Sequence, residues 1–483
     1  NVVLASKMVI ENGATLRTEA AVTTNSPIKF ETEDGGVIDN PKDFTANKTL
    51  SGTVAYKKGA GTMILTNNNT SLNKLVLVAG TVKNQAITIP AKEVELQGGT
   101  LTESRSTSYP IIVAKGKSAK WNLAERNTYT NKITGEGTLS IYCPLVNGGS
   151  WMAPRTPVKC NMSEFEGTLK PQMPYKDNRF TLDNSYGLPK ATMDIPEGME
   201  VQNTGKTFAI GKVTGTGALG GLVDFGNGVS GYNTWKVGNE TNYRWSGKVT
   251  GTNTAFVKIG TGKLTAGAGW DNTGSVKVAE GELCLTSGNV IGTGAVTVDR
   301  DARLSGVTGT TALTNSSFTI NGELVVGSFS NATSGKINFG GKNVTISSTG
   351  KYVVGKGSYS NTTIENVNTL TINGTIEVVF ASSYTPKDGD EITLWTANNF
   401  AGTPKYVLPA LALGMTWDMS KISEGKLTIV ADPTAIGVVP FGAKYGHNDI
   451  YDLKGQLVRK NATSTEGLPS GVYFRNGKKI VVK

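Results

Sequence analysis

The chain has 483 residues, of which 60 are glycine and 18% are charged, and its formal net charge at pH 7 is +10. This mild basic excess lacks the dense basic stripes that nucleic-acid-binding proteins carry, so the composition argues against nucleic acid as a partner. No run of about 18 apolar residues occurs, which argues against a membrane span. The glycine content and the alternation of apolar residues with period two predict many short strands and tight turns.

The chain begins at Asn1, without a methionine or a signal-peptide pattern. We therefore expect a processed product or an excised fragment, and a signal or even a whole catalytic domain could precede this residue in the gene.

Two segments that lie far apart in the chain, GAGTMILT and GTGKLTAG, share a spaced pattern of glycines. In each, the second glycine, Gly61 or Gly262, is followed 19 residues later by another, Gly80 or Gly281. Glycine adopts positive φ without steric cost, so a repeated coil can reuse it at its tight turns. We predict that Gly61 and Gly262 occupy equivalent corners, and that Gly80 and Gly281 do likewise.

Two further repeats extend this pattern. ITGEGTL (133–139) corresponds to VTGTGAL (213–219), and FEGTL (165–169) corresponds to WSGKV (245–249), both with an offset of 80 residues. From residue 276 onward, a unit of strand, turn and strand recurs in steps of 20, 22, 26 and 26 residues. One coil of a parallel β-helix needs about this many residues.

The repeats predict an all-β protein, with a right-handed parallel β-helix (a solenoid) over residues 1–432 and a small antiparallel β module at the C-terminus. A single coil cannot bury the inward residues of its alternating strands. Stacking the next coil at ~4.8 Å pairs the backbones and buries a continuous apolar stripe. Asparagines at the corners can stack in ladders along the axis.

The segments GGVIDN, LSG, YKKGAGTMILTNNNT and LVLVAGTV, all within residues 35–82, resemble the autotransporter-associated β-strand repeat. Residues 257–285 resemble a second copy. The resemblance covers most of residues 30–430. It implies a right-handed parallel β-helix displayed outside the cell, in proteins described as adhesin-like or passenger domains.

The segments ITLWTANNFAG, LPALALGMTWDMS and GKLTIV resemble the last passenger segment of the same family. We therefore interpret residues 381–432 as a cap that covers the last coil. Trp395 and Trp417 are predicted core residues of this cap, since aromatic rings so close to apolar runs normally pack. Residues 433–446 break the pattern and are interpreted as a linker.

The last residues, 447–483, contain IYDLKGQLVRK, GLPSGVYF and NGKKIVVK. The alternation and the PSG and NGK turns predict three short antiparallel strands. This stretch closely resembles the C-terminal sorting domain of Bacteroidetes proteins exported by type IX-like secretion, which implies the secretion machinery as a partner. The matched positions are Tyr451, Asp452, Leu453, Gly455, Leu468, Pro469, Gly471, Tyr473, Gly477, Lys478 and Lys479.

The sequence offers few residues for catalysis. Its single histidine, His447, lies directly after the predicted linker and outside the β-helix, which excludes a Ser/His/Asp triad within the β-helix. The adjacent aspartates that galacturonan hydrolases use on this fold are absent from the sequence. We predict no catalytic residue, no metal and no cofactor. Acidic residues in two apparent turns are interpreted as solvated, with calcium as the alternative: Glu31, Glu33, Asp34, Asp299 and Asp301.

The three cysteines are too few for a disulfide framework and too poorly spaced for zinc. Cys143 and Cys160 could pair across a loop of about 17 residues, and two unlinked thiols are the alternative. Cys284 should face outward, because its neighbours Leu283 and Leu285 should point inward.

Glycan binding needs exposed aromatic rings that can stack on the faces of sugars. Five aromatic residues fall outside the clearest coil strands, and two of them follow apparent turns. We take all five as candidate ligand-binding residues: Trp121, Trp151, Tyr232, Trp235 and Trp270.

The sequence favours a secreted or surface-displayed β-helix that acts as an adhesin, a glycan-binding domain or a scaffold without catalysis of its own. The expected partner is a polysaccharide or a host or cell-surface glycan, and the basic charge is compatible with acidic glycans. The alternative is a polysaccharide lyase or glycoside hydrolase of the β-helix fold, or the noncatalytic C-terminal part of one. Carboxylates from adjacent coils inside a groove would favour the enzyme. Exposed aromatic residues or Asn/Thr ladders would favour the binding protein.

Overall fold

The computed structural model describes residues 6–67, 71–85, 91–143, 158–173, 179–205, 207–221, 233–327, 334–432, 448–475 and 478–483. Within these ranges the protein consists of short strands and one 3-10 helix. Residues up to 142 form β1 (Met8–Ile10), β2 (Thr15–Arg17), β3 (Val22–Thr24), β4 (Ile28–Phe30), β5 (Gly36–Asp39), β6 (Phe44–Ala46), β7 (Leu50–Lys58), β8 (Thr62–Leu65), β9 (Ser71–Leu77), β10 (Thr81–Asn84), β11 (Glu93–Leu96), β12 (Thr100–Glu103), β13 (Ile111–Val113), β14 (Ser118–Asn122), β15 (Ile133–Gly135) and β16 (Thr138–Tyr142).

The middle of the chain continues with strands of similar length. They are β17 (Thr168–Gln172), β18 (Arg179–Leu182), β19 (Leu188–Ile195), β20 (Glu200–Asn203), β21 (Thr207–Gly215), β22 (Ala218–Gly221), β23 (Asn233–Val237), β24 (Tyr243–Trp245), β25 (Lys248–Val249), β26 (Thr254–Lys258), β27 (Lys263–Ala266), β28 (Val276–Val278), β29 (Gly281–Leu285), β30 (Val296–Val298), β31 (Ala302–Gly306), β32 (Ser317–Ile320) and β33 (Glu323–Val326).

The remaining strands include the two longest, β34 and β36. They are β34 (Gly335–Ile346), β35 (Lys351–Lys356), β36 (Thr362–Ile372), β37 (Thr375–Phe380), β38 (Glu391–Thr393), β39 (Trp395–Ala401), β40 (Lys405–Val407), β41 (Met415–Asp418), β42 (Lys426–Ala431), β43 (Ile450–Tyr451), β44 (Leu457–Arg459), β45 (Gly471–Arg475) and β46 (Lys478–Val482), with the 3-10 helix η1 (Ile422–Glu424) before β42.

Parallel pairing between strands about one coil apart in sequence builds the body of the protein, which confirms the predicted parallel β-solenoid. The longest ladder begins at β3 and ends at β39, and each of its strands pairs in parallel with the next. Val82 of β10 lies in register between Met63 of β8 and Leu101 of β12. All three side chains are fully buried, so the inward phase of the alternating strands forms the continuous core.

Three further parallel sheets complete the coils. One contains β1, β4, β7, β9, β11, β13 and β15, with β2 and β5 attached at β7; the others are β18-β20-β22-β25 and β24-β27-β29-β31-β33-β35-β37-β40. A strand repeats every coil on each side, so a residue pointing outward on one strand meets its counterparts above and below. This register determines which surface side chains come together.

The predicted equivalence of the repeated glycines is confirmed. Gly80 and Gly281 have φ of 74° and 66°, a left-handed conformation that favours glycine. A Cβ at either position would also lie 2.6 Å from a carbonyl oxygen of the preceding coil, that of Gly61 or of Gly262. Both the dihedral angle and the close approach of the next backbone therefore require glycine at these corners.

Two lysines are buried at these same corners, a feature that the sequence analysis did not predict. Lys57 and Lys258 have no exposed surface. Burial lowers the pKa of each ammonium to about 8. The three N–H donors of the charged form match three inward-facing carbonyl oxygens, so the geometry favours the ammonium. The acceptors are Lys58, Gly59 and Ala79 around Lys57, at 2.7, 2.8 and 3.0 Å, and Ile259, Gly260 and Glu280 around Lys258, at 2.8, 2.6 and 3.2 Å.

Buried asparagines also donate hydrogen bonds to backbone carbonyl oxygens at the turns. The Asn40 amide nitrogen donates to the carbonyl oxygens of Lys42 and Thr62, at 2.8 and 3.1 Å. Asn272 donates in the same way to Thr254 and Gly274, at 2.9 and 3.2 Å. Inward side-chain donors therefore supply hydrogen bonds to backbone oxygens at the turns of the coils.

The chain divides into two compact units, Asn1–Ser383 with Leu394–Leu408, and Tyr384–Thr393 with Pro409–Lys483. The predicted cap, 381–432, is thus divided between them. Strands β39 and β40 continue the parallel ladders of the first unit. Strands β38, β42 and β41 form an antiparallel sheet in the second.

The two tryptophans of the predicted cap differ in their burial. Trp395 is buried and stacks on Phe400, with ring centroids 4.6 Å apart, as expected for a core residue. Trp417 is only partly buried, and its indole nitrogen donates to the carbonyl oxygen of Pro409 at 3.1 Å. The predicted linker, 433–446, lies outside the described residues.

The C-terminal residues form a four-stranded antiparallel sheet in the order β44-β43-β45-β46, one strand more than predicted. Ile450, Ala462 and Tyr473 form its small core, against which Leu468 and Ile480 pack. Within the described residues, its strands pair only with one another. This module therefore has a hydrogen-bonded sheet and a core of its own.

The corner ammonium can be tested by replacing Lys57 or Lys258 with methionine, which keeps the length of the side chain and removes its donors. A buried carbonyl without a partner costs roughly 1–3 kcal/mol. We therefore expect the free energy of unfolding, measured by urea denaturation, to fall by about 3 kcal/mol or more. Lys58→Met is the control, since Lys58 is exposed. Equal losses for Lys57→Met and Lys58→Met would contradict a stabilising corner.

Candidate functional site

A groove lies on the outer face of the sheet that contains β7, β9 and β11. The register places Val54 beside Lys74, and Tyr56 beside Val76 and then Glu95. These side chains point outward from three neighbouring coils, so no single repeat contains the whole site. The groove has a volume of about 420 Å³ and is lined by Glu33, Thr53, Val54, Tyr56, Asn73, Lys74, Val76, Glu95 and Gln97.

The floor of the groove is apolar. Val54 and Val76 point outward from their strands, yet only 9% and 2% of their surfaces are exposed, because the longer side chains around them cover them. The ring of Tyr56, partly buried, stands beside this floor. The accessible part of the Tyr56 ring is therefore the apolar surface on which a sugar ring can lie, since the buried Val54 and Val76 expose almost none.

Part of the polar rim is already paired. The Lys74 ammonium lies 3.1 Å from a Glu93 oxygen and 2.7 Å from a Glu95 oxygen. Gln97 donates its amide hydrogen to Glu95 at 2.6 Å. Burial alone would raise the pKa of Glu95 and lower that of Lys74. The hydrogen bonds and opposite charges outweigh it, so the pKa of Glu95 is lowered and the pKa of Lys74 is raised.

Other polar groups at the rim have no partner within the described part of the chain. Glu33 and Asn73 are exposed, and neither side chain makes a hydrogen bond or an ion pair there. The Tyr56 hydroxyl likewise has no hydrogen-bond partner among the described residues. The groove thus presents a carboxylate, an amide and a phenol that can exchange water for the hydroxyl groups of a ligand.

The groove does contain carboxylates from adjacent coils, the arrangement that would favour an enzyme. Glu95, however, is held ionised by its ion pair, whereas a general acid needs a raised pKa. Lys74, whose pKa is raised, is a poor base for proton abstraction. The paired charges therefore suit a fixed binding surface better than acid–base chemistry.

The described aromatic candidates from the sequence lie inside the solenoid. Trp121, Trp235 and Trp270 are 0%, 0% and 2% exposed. Trp121 shares the inward phase of β14 with Ala119, and the Trp235 indole donates to the buried carbonyl of Gly220 at 2.9 Å. The prediction that these three rings contact a ligand is therefore wrong for this conformation, since a buried ring cannot stack on a sugar. Trp151 and Tyr232 lie outside the described residues.

The acidic candidates for calcium do not form a cluster. Glu31 lies 2.6 Å from Lys29, and Asp299 lies 2.8 Å from Lys277, so each carboxylate is neutralised by a lysine. Asp34 and Asp301 are exposed. In the part of the chain that the structure describes, no three His, Cys, Asp or Glu side chains come together as metal ligands would. His447 lies outside the described residues.

The cysteines are free thiols. Cys143 and Cys160 are buried, and burial raises the pKa of Cys143 to about 12. Cys284 is partly exposed between buried Leu283 and Leu285, as predicted. A buried thiol with a raised pKa is a poor nucleophile, so neither Cys143 nor Cys160 has the character of a reactive cysteine.

The outer face of the long sheet carries the other feature that would favour a binding protein. Thr297, Thr319, Thr345 and Thr371 stand directly above one another on successive strands. Asparagine side chains also bond between coils, as expected, for example from Asn366 to Asn338 at 3.1 Å. These ladders present regularly spaced polar groups.

The predicted sorting-motif residues lie in the small C-terminal sheet. Tyr473 is buried, and its hydroxyl donates to the Pro469 carbonyl oxygen at 2.9 Å. The Asp452 carboxylate accepts from the backbone N–H groups of Lys454 and Gln456 at 2.8 and 2.9 Å. Leu468 packs against the core, and Gly455 has φ of 73°. Tyr451 lies on β43, and Gly471 begins β45. The exposed residues are Leu453 and, on β46, Lys478 and Lys479, while Gly477 lies outside the described residues.

Sequence comparisons add no relatives. Neither a scan against protein-family models nor a search of curated proteins finds a match for this chain. Among the described residues, none forms a helix with the length and hydropathy needed to cross a membrane. The geometry of the groove is therefore the main basis for assigning a function.

One buried carboxyl does not line the groove. Glu103 occupies an inward position on β12 and is 3% exposed. The Tyr109 hydroxyl donates to it, and the Asn84 amide donates to it at 2.9 Å. Burial is the larger influence and raises the pKa of Glu103 to about 7. Its inaccessibility makes it part of the core rather than of a site.

The raised pKa of Glu103 predicts a pH-dependent stability. Between pH 4.5 and about 7 the folded chain holds this proton more tightly than the unfolded chain, so the contribution of Glu103 to stability falls as pH rises, by up to about 3 kcal/mol. Denaturation at pH 5 and pH 8 should show this loss in the wild type and a smaller loss in Glu103→Gln. Glu11→Gln, at an exposed carboxyl, is the control. An unchanged pH dependence in Glu103→Gln would refute the assignment.

Proposed function

We propose that this chain is a noncatalytic carbohydrate-binding β-solenoid that acts outside the cell or on its outer surface. The observation that carries the proposal is the groove in which the partly exposed Tyr56 ring stands beside a largely buried floor of Val54 and Val76. Unpartnered polar groups surround that floor, a combination typical of ligand sites. The extracellular setting rests on the resemblance to the autotransporter-associated repeat, which also supports a role as an adhesin or scaffold.

A polysaccharide lyase or hydrolase, or the noncatalytic end of one, is the competing function. The carboxylates in the groove favour it, and the ion pairs of Lys74 with Glu93 and Glu95 oppose it. Hydrolysis by acid–base catalysis needs two carboxyl groups about 5–9.5 Å apart with contrasting pKa values. In the groove, the pKa of Glu95 is lowered, which is unsuitable for a proton donor.

A glycan array followed by calorimetry tests the proposal. The purified chain should bind at least one glycan, and Tyr56→Ala should weaken that binding by roughly tenfold, since an aromatic contact is worth about 1 kcal/mol or more. Tyr186→Ala is the matched control, because Tyr186 is 53% exposed and does not line the groove. Equal losses in both variants, or no binding at all, would reject the groove as the site.

Turnover separates binding from catalysis. Incubation with acidic and neutral polysaccharides, with and without calcium, should release neither unsaturated uronides nor reducing ends. Release that disappears in Glu33→Gln would show that the groove is an active site, and the noncatalytic proposal would then be wrong.

We also propose that residues 447–483 direct export through a type IX-like secretion machinery, as their resemblance to a sorting domain implies. The separate core of Ile450, Ala462 and Tyr473 supports a module that can be removed. Deleting the segment should leave the cooperative thermal transition of the β-helix in place and abolish surface labelling of cells that express the protein. Surface labelling that persists without the segment, or loss of the thermal transition, would contradict an address function.

A further inference from the structure

The charged side chains of the groove limit the charge of the ligand that it can bind. The inference drawn from them rests on the proposed carbohydrate-binding function. We infer that the groove selects uncharged pyranose sugars and discriminates against uronates. Among the described residues that line it, Lys74 is the one cation, and Glu33 and Glu95 are anions. The charge next to a bound sugar therefore differs in sign from the net charge of the whole chain.

The single cation is not free to receive an acidic sugar. Lys74 already lies 3.1 Å from Glu93 and 2.7 Å from Glu95. A uronate would have to compete with two carboxylates that are built into the same sheet and held in register with Lys74. Without a counter-charge, its carboxylate would lose water in the groove and gain no ion pair in return.

Glu33 adds direct repulsion. Its carboxylate lines the groove and makes no ion pair or hydrogen bond with the described residues. A second carboxylate brought close to it would meet a like charge, which disfavours the ionised form of either group. A neutral sugar instead offers hydroxyl donors, which the free oxygens of Glu33 can accept.

The remaining contacts do not depend on a charged ligand. The Asn73 amide and the Tyr56 hydroxyl can each donate and accept, as sugar hydroxyl groups can. Val54 and Val76, 9% and 2% exposed, lie beneath the groove, so the Tyr56 ring is the apolar surface that faces a ligand. A volume of about 420 Å³ falls within the range of small-molecule sites. Selectivity thus combines favourable contacts to hydroxyl groups with repulsion of acids.

Matched methyl glycosides provide the test. The probes are the glucoside and glucuronide, the galactoside and galacturonide, and the mannoside and mannuronide, titrated into the full chain and followed by ligand-observed NMR at low ionic strength. At least one neutral glycoside should bind, and its affinity should be about tenfold higher than that of its own uronide, or more. Raising the ionic strength should narrow this difference, because salt screens exposed charges.

Variants assign the discrimination to named groups. Glu33→Gln should lower the ratio of neutral to uronide affinity by about tenfold, since the charge that repels the uronide is lost. Glu93→Gln should also strengthen uronide binding, because Lys74 is then less neutralised. Glu136→Gln is the control, since Glu136 is exposed and pairs with Lys115 away from the groove.

Uronide binding as tight as neutral binding in the wild type would overturn the selectivity while leaving carbohydrate binding intact. An unchanged ratio in both Glu33→Gln and Glu93→Gln would also overturn it. Binding of none of the six glycosides would overturn the selectivity, and a silent glycan array would then reject the proposed function as well.

Discussion

Backbone hydrogen bonds from one coil to the next are the interaction on which the rest of the structure depends. The Thr100 amide donates to the Gly80 carbonyl oxygen at 2.8 Å, and the Thr81 amide donates to Gly61 at 3.2 Å, each one coil back. No coil can satisfy its own backbone, so stability and shape arise from stacking. Where the chain turns, carbonyl oxygens point inward, and Lys57 and buried asparagines supply the missing donors.

The groove is a product of the same register. Val54, Lys74 and Glu93 belong to three consecutive strands of one sheet and form a single outward column. A shift of one residue in any of these strands would turn its outward side chains inward. The apolar floor and the paired charges would then both be lost. The site is therefore as rigid as the ladder that holds it, which suits a surface that binds without rearrangement.

Sequence reasoning recovered the fold because alternation and glycine spacing are direct consequences of the stacked coil. It failed for Trp121, because a nearby turn suggests an exposed ring, whereas the alternation of β14 points the ring inward together with Ala119. The groove was missed because its residues meet only once the register is known. The burial of Lys57 was not predicted, because lysine is almost never fully buried unless its charge is paired.

The equivalence of the two lysine corners matters for how the chain reaches its folded state. A chain of similar coils can pair a strand with the wrong neighbour at little loss of backbone bonding. Such an error would separate the Lys57 ammonium from the Ala79 carbonyl on the next coil and leave it only the adjacent carbonyls of Lys58 and Gly59. Lys57 and Lys258 thus favour the correct register of coils through one inter-coil hydrogen bond each, to Ala79 and to Glu280.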